Sequence, residues 1–166
     1  EFLQGDEYSF DSVMQGGRVV WSSISSYRPS PLTVLENPWI QWCVLLPREI
    51  DGAEFAPIQR DGARALQALG LRDGMTHMEW FRRPDGSIAI SEVAARPPGA
   101  QFTSLISWAC DRDFYQAWPR LMIFDEFTPP ARNFAAGAAY LRGMGEGRVR
   151  AVQGVETLRR EFGDMI

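Results

Sequence analysis

The stretch from Met75 to Gly99 constrains the fold of this chain more than any other, because it reads as one β-hairpin with an acidic residue on each arm. Two apolar-rich segments flank Asp85-Gly86, the dipeptide favoured by a two-residue type I′ turn. With a two-residue loop Pro84 opposes Ser87, Arg83 opposes Ile88, Phe81 opposes Ile90 and Glu79 opposes Glu92. Directly opposed Cβ atoms lie about 4.5–5.5 Å apart, and like charges so placed destabilise the pair unless something compensates. Three forms of compensation are open, the first being that one carboxyl stays protonated. Mg²⁺ takes hard oxygen ligands, commonly one or two carboxylates plus water and phosphate, and suits the pair. Alternatively Arg82, Arg83 or Arg96 neutralises two solvated glutamates.

At 166 residues the chain has room for one ordinary domain or two small ones, and 45% hydrophobic residues suffice for a core. A net charge of −4 argues against a general nucleic-acid or anionic-membrane binder. No apolar run is long enough to span a bilayer and no signal peptide is recognisable, so a cytoplasmic setting is expected. Cys43 and Cys110 lack metal-site spacing and read as reduced core thiols. With a single histidine, His77, and no nucleophile elbow, nothing signals triad chemistry. All 17 basic residues are Arg, so no lysine of this chain grips a triphosphate or forms a Schiff base. The residues from Glu1 onward read like the interior of a strand, from which a fragment of a longer protein is expected.

Residues 1 to 21 read as a hairpin turning at Gln15-Gly16-Gly17, followed by a polar loop from Ser22 to Pro31. Leu32 to Asp51 is irregular, with one short strand or helix. Between Ala53 and Leu69 the residues Phe55, Ile58, Ala65, Leu66 and Leu69 share one helical face, with Gly70 as a C-terminal stop. Beyond the acidic hairpin, helices are expected over Gln101 to Ala109 and Phe114 to Phe124, the second capped by Asp113 and bent or shifted by Pro119. Strands are expected over Asn133 to Arg142 and Arg148 to Gln153 around a glycine-rich turn, and Val155 opens a short helix. This order is α+β: an antiparallel sheet with helices packed on one face, plus a small β-rich C-terminal extension.

Three stretches carry a family signal: Glu1-Phe2-Leu3-Gln4-Gly5-Asp6-Glu7 followed by Ser9 and Asp11, the strand Met78-Glu79-Trp80-Phe81, and Ser91-Glu92-Val93-Ala94-Ala95-Arg96-Pro97-Pro98-Gly99. In order and spacing they resemble the C-terminal half of the ATP-grasp superfamily, which includes carbamoyl-phosphate synthase, biotin carboxylase and D-alanine ligase. The resemblance implies a C-terminal ATP-grasp subdomain over residues 1–128 and the incomplete start of a small β-rich domain over 129–166. It implies that Glu1, Phe2 and Leu3 line the adenine edge, that Glu7 holds the ribose hydroxyls and that Glu79 and Glu92 ligate Mg²⁺. Arg96 would contact phosphate or an acyl-phosphate, or else pair with Glu92, and Gly99 either admits close backbone approach or ends the strand. Many members read Glu-x-Asn-x-Arg where this chain has Ala94. By register His77 opposes Ala94, either as a packed, hydrogen-bonded histidine or as a donor filling the space of the absent Asn.

The implied activity is ligation: ATP activates a small-molecule carboxylate as an acyl-phosphate, which an amine or similar nucleophile then captures. The lid and its phosphate-gripping lysines would come from a missing N-terminal part of the same protein, so the isolated chain is expected to be inactive. It would expose apolar surface, a route to a homodimer. Two alternatives stand beside this: a non-catalytic nucleotide-binding module, suggested by Ala94, and a small interaction domain presenting Trp39, Trp42 and Trp80.

Overall fold

Gly16 and Gly17, at φ 58° and 77°, close the first hairpin in the left-handed conformation that a type I′ turn needs. They join β1 (Asp6–Gln15) to β2 (Arg18–Arg28). The structure, a computed structural model, describes residues 2–143 and 145–165. β2 runs through the segment expected as a polar loop, because its serines alternate: Ser23 and Ser25 are fully buried on one face while Ile24 enters a core on the other. Residues 32–51 hold a helix and a strand rather than one of them, since α1 (Pro31–Glu36) is capped by Ser30 and β3 (Trp42–Leu46) pairs with the end of β2.

α2 (Ala56–Ala68), β4 (Gly74–Arg82), β5 (Ile88–Ala94), α3 (Phe102–Cys110) and α4 (Phe114–Phe124) follow close to their expected positions. Asp113 caps α4 by accepting from Tyr115 N at 2.8 Å and Gln116 N at 3.2 Å, and Pro119 lies inside the helix without splitting it. β6 (Ala136–Tyr140) is the one strand formed of the two expected near the C-terminus. Residues 148–153 are exposed and carry no strand, and α5 (Val155–Phe162) buries none of its residues.

The strands make one antiparallel sheet of six in the order β5-β4-β1-β2-β3-β6, so the C-terminal extension contributes β6 to this same sheet. In place of helices on one face there are two helical layers. Val13, Trp21, Val44, Leu46 and Met75 pack against Leu105, Ile106, Phe114 and Leu121 of α3 and α4. Phe10, Met14, Ile24, Met78 and Trp80 pack against Ile58 and Leu66 of α2. β1 and β4 place apolar residues on both sides, Val13 and Met75 on one and Phe10, Met14, Met78 and Trp80 on the other, so each side needs a cover. Every fully buried Leu, Ile or Phe in these layers contributes about 1.5–3 kcal/mol. Among the described residues no helix is long and apolar enough to cross a membrane.

The acidic hairpin departs from the expected turn. Arg83 N donates to Ser87 O at 2.8 Å and Gly86 N to Arg83 O at 2.9 Å, so the loop is Pro84-Asp85-Gly86, with Gly86 at φ 82°. Pro84 has no N–H for a strand ladder but suits the second position of a type I turn, and Gly86 takes the left-handed residue after it. The longer loop pairs Arg82 with Ile88, Phe81 with Ala89 and Trp80 with Ile90. An irregularity between Glu79 and Trp80 then absorbs Ser91 as an extra residue, and the pairs beyond it are Glu79 with Glu92, Met78 with Val93 and His77 with Ala94. The acidic pair therefore forms as expected, by a different route.

Candidate functional site

On the sheet face that α3 and α4 cover, β1 and β4 change character along their length. Val13 and Met75 are apolar partners at one end, followed by Asp11 opposite His77, Ser9 opposite Glu79, and Glu7 opposite Phe81. A strand places residues two apart on one face, so Glu7, Ser9 and Asp11 form a single polar row.

His77 links that row to the predicted metal ligands. Its Nδ1 lies 2.6 Å from Oδ1 of the fully buried Asp11, which also accepts from Ser9 Oγ at 2.9 Å. Its Nε2 lies 3.7 Å from Glu79 Oε1, an ion contact beyond hydrogen-bond range. Burial opposes charge on the imidazole, but bonding to Asp11 and the facing carboxylates outweigh it and hold the His77 pKa up at about 9. The same contact with His77, against burial, holds Glu79 below the usual carboxylate range, with help from the charges of His77 and Arg96. Burial, then the charge of Glu79, push Glu7 up to about 7. Burial and the charge of Asp11 push the Tyr27 phenol up as well.

The other residues predicted for the site divide by position. Phe2, Leu3, Glu7 and Glu79 border one open cleft of about 880 Å³, which Leu35, Phe81 and Ser91 also line. Glu1 lies outside the described residues. Glu92 opposes Glu79 in the ladder and is solvent-exposed. Arg96 is exposed beyond the end of β5 and donates from Nη1 to Pro97 O at 3.0 Å. A Cβ added at Gly99 meets nothing within 4 Å, whereas the next residues, Ala100 and Gln101, carry the left-handed φ values of 45° and 64°.

Arg82 does not compensate the acidic pair, because it points to the α2 side, donating to Glu54 O and lying over Tyr8, Phe55 and Trp80. His77 supplies the compensating charge at Glu79. Among the described residues no group of three or more His, Cys, Asp or Glu side chains gathers into a metal cage. Two opposed carboxylates nonetheless suit Mg²⁺, which keeps several waters and draws its other ligands from substrate phosphates.

Sequence reasoning gave Asp11, Tyr27 and Ser91 no role. The spacing of Glu7, Ser9 and Asp11 was a readable signal for Asp11, being the alternation of a strand face. The three tryptophans considered as an interface separate in the structure. Trp80 is fully buried against Tyr8, Trp42 stacks on Tyr140 at 4.2 Å, and Trp39 alone of the three is 58% exposed.

No family model matches the sequence. Over 60 residues the chain is 40% identical to D-alanine–D-alanine ligase of Bacillus cytotoxicus, a match covering 36% of this chain and 16% of that protein. L-amino acid ligase from Bacillus licheniformis superposes with a TM-score of 0.75 at 21% identity, over 96% of this chain and 41% of that one. Carboxyaminoimidazole ribonucleotide synthase from Aspergillus clavatus, solved with ATP, gives 0.52 at 18% identity, over 76% of this chain and 31% of that one. The chain thus spans less than half the length of each of these proteins.

Proposed function

We propose, from the premise that this chain has the ATP-grasp fold, that its polar sheet face is the nucleotide and metal floor of an ATP-dependent ligase. The observation that carries the reading is the opposition of Glu79 and Glu92 beside the cleft bordered by Phe2, Leu3 and Glu7. Phe2 and Leu3 offer apolar lining and backbone to a purine. Glu7, protonated in part near neutral pH, both donates to and accepts from ribose hydroxyls. Glu79 and Glu92 would hold Mg²⁺, which when bound neutralises and aligns polyphosphate oxygens. His77, anchored on Asp11, keeps Glu79 ionised and aimed, and Arg96 presents a guanidinium to charge developing on phosphate. Carboxylate and amine substrates and a cytoplasmic setting go with this reading. The phosphate-gripping lysines would come from a longer parent chain.

Mg²⁺-dependent ADP release by the full-length protein, on a panel of carboxylates and amines, tests the proposal. Glu79→Gln and Glu92→Gln should each lower the rate by about a hundredfold or more, and retention of both rate and metal dependence would defeat it. Ala94 favours a second reading, nucleotide binding without turnover, because the position facing His77 offers no oxygen ligand. Nucleotide binding by the full-length protein with no ADP release across the panel would select it.

A further inference from the structure

Beside the nucleotide face lies a second polar group that the reading above leaves unused. Ser23 and Ser25 are fully buried, and their Oγ atoms have no hydrogen-bond partner among the described residues. The Nε and both Nη atoms of Arg132 are buried and likewise without partners. The ladder and one ring contact place these groups on the same face of the sheet. Ser23 stands directly opposite Asp11 in the ladder, and Ser25 opposite Ser9. The Arg132 guanidinium lies 6.0 Å from the Trp21 ring, on the strand that leads into Ser23. Burial disfavours the charged Arg132 guanidinium, opposed by the charges of Cys110 and then Asp11. Arg132 enters from an exposed segment, its neighbours Ala131 and Asn133 facing solvent.

A guanidinium sealed from water with no hydrogen-bond acceptor is costly, and a face of Trp21 offsets only part of that cost. Asp11 does not serve as the acceptor, since neither of its oxygens is within hydrogen-bond reach of the guanidinium. A planar fork of N–H donors on the sheet face that carries these two hydroxyls matches a carboxylate. Ser25 shares a ladder row with Ser9 and Glu79, two strand spacings or about 10 Å from the proposed metal ligand.

We propose that Arg132, Ser23 and Ser25 form an internal subsite for a carboxylate group of the substrate that this face acts on. Its assignment to a substrate rests on the ligase reading, but carboxylate binding there does not. The test omits ATP and metal. Thermal midpoints of the chain are compared in sodium acetate and sodium chloride at equal ionic strength, and binding of L-alanine is compared with that of L-alaninamide by calorimetry. The expected result is a midpoint raised by acetate over chloride and binding of the acid but not the amide. Arg132→Met should weaken this binding about ten- to a hundredfold, and the Ser23→Ala/Ser25→Ala double variant by severalfold. The double variant decides the matter if Arg132→Met does not fold. Absence of carboxylate binding by the unaltered chain, or equal binding by the variants, overturns the subsite. The first of these with intact Glu79-dependent ADP release leaves the ligase reading standing. Arg132-dependent binding with no ADP release leaves the subsite and removes the ligase.

Discussion

The Asp11–His77 pair makes a quantitative claim about folding that needs neither nucleotide nor metal. His77 has its pKa raised from 6.5 to about 9, and its side chain is only 13% exposed. A cationic group with a raised folded-state pKa binds its proton more tightly when folded. Its contribution is therefore complete below pH 6.5 and is lost as pH rises through 9. Each pH unit well inside that window corresponds to about 1.4 kcal/mol, and because the folded imidazole is itself half deprotonated at pH 9, the loss between pH 7 and pH 9 is about 2 kcal/mol. That is a large fraction of the stability of a small domain. Urea unfolding of the chain in EDTA, read by tryptophan fluorescence at half-unit steps from pH 7 to 9, measures it directly. Glu7, about half titrated at pH 7, adds only the remainder of its titration above it, about 0.4 kcal/mol of the same sign. His77→Gln should flatten the slope, and Asp11→Asn should reduce it by removing the 2.6 Å partner. A slope in the unaltered protein within about 0.5 kcal/mol of zero across this range would refute the reasoning, since additive noise in such cycles is of that size. So would an unchanged slope in His77→Gln.

Glu7 gives a second pH signature with the same sign in a lower window. Its carboxyl is raised from 4.5 to about 7, so the folded state is favoured below pH 4.5 and loses that advantage as pH rises through 7. After allowance for solvent at the cleft, Glu7→Gln should gain about 1–2 kcal/mol at pH 8 relative to the unaltered chain in the same urea assay, and a loss there would contradict the raised pKa. Gly5→Ala should cost about 2 kcal/mol or more, because Gly5 has φ 151° and an added Cβ would lie 2.2 Å from the Arg82 carbonyl oxygen. It should also weaken nucleotide binding by the full-length protein, and thermal melting together with a nucleotide titration would check both effects. Asp113→Ala should cost about 1 kcal/mol in thermal unfolding by leaving the first N–H groups of α4 uncapped, while Asp113→Asn largely retains the cap.

The α+β class and most of the elements were legible in the sequence because they rest on periodicities and stop signals. The spacing of apolar residues in α2, the Asp113 cap and the Gly16-Gly17 turn are local devices, and local devices survive folding. What was not legible depends on partners distant in sequence. Ser22 to Ser26 reads as loop until Asp11 and Ser9 stand beside it, and then Ser23 and Ser25 become the buried polar face of β2. A second helical layer follows from Val13 and Met75 being buried on one face of β1 and β4 while Phe10, Met14, Met78 and Trp80 are buried on the other, which a pattern read one strand at a time does not reveal. The absence of a strand over residues 148–153 has the converse cause, since β6 is the edge of the sheet and nothing covers that segment.

The acidic hairpin shows where the information for the site resides. Its turn is one residue longer than Asp85-Gly86 alone implies, since Pro84 joins the loop, and a strictly regular ladder from that turn would set Glu79 against Ser91. Glu92 would then sit beside Met78, directing a carboxylate toward the core under α2, where Met78 and Trp80 are fully buried. Extruding Ser91 as a bulge avoids that cost. Its hydroxyl still finds the Glu79 carbonyl at 3.2 Å, and Val93 takes the place beside Met78. Burial of Met78, Trp80 and Val93 thus sets the register from the strand interior, and the turn accommodates it. The opposition of Glu79 and Glu92 is therefore a consequence of core packing on the opposite face of the sheet, which gives the acidic pair a rigid base that a hairpin held by its turn alone would lack.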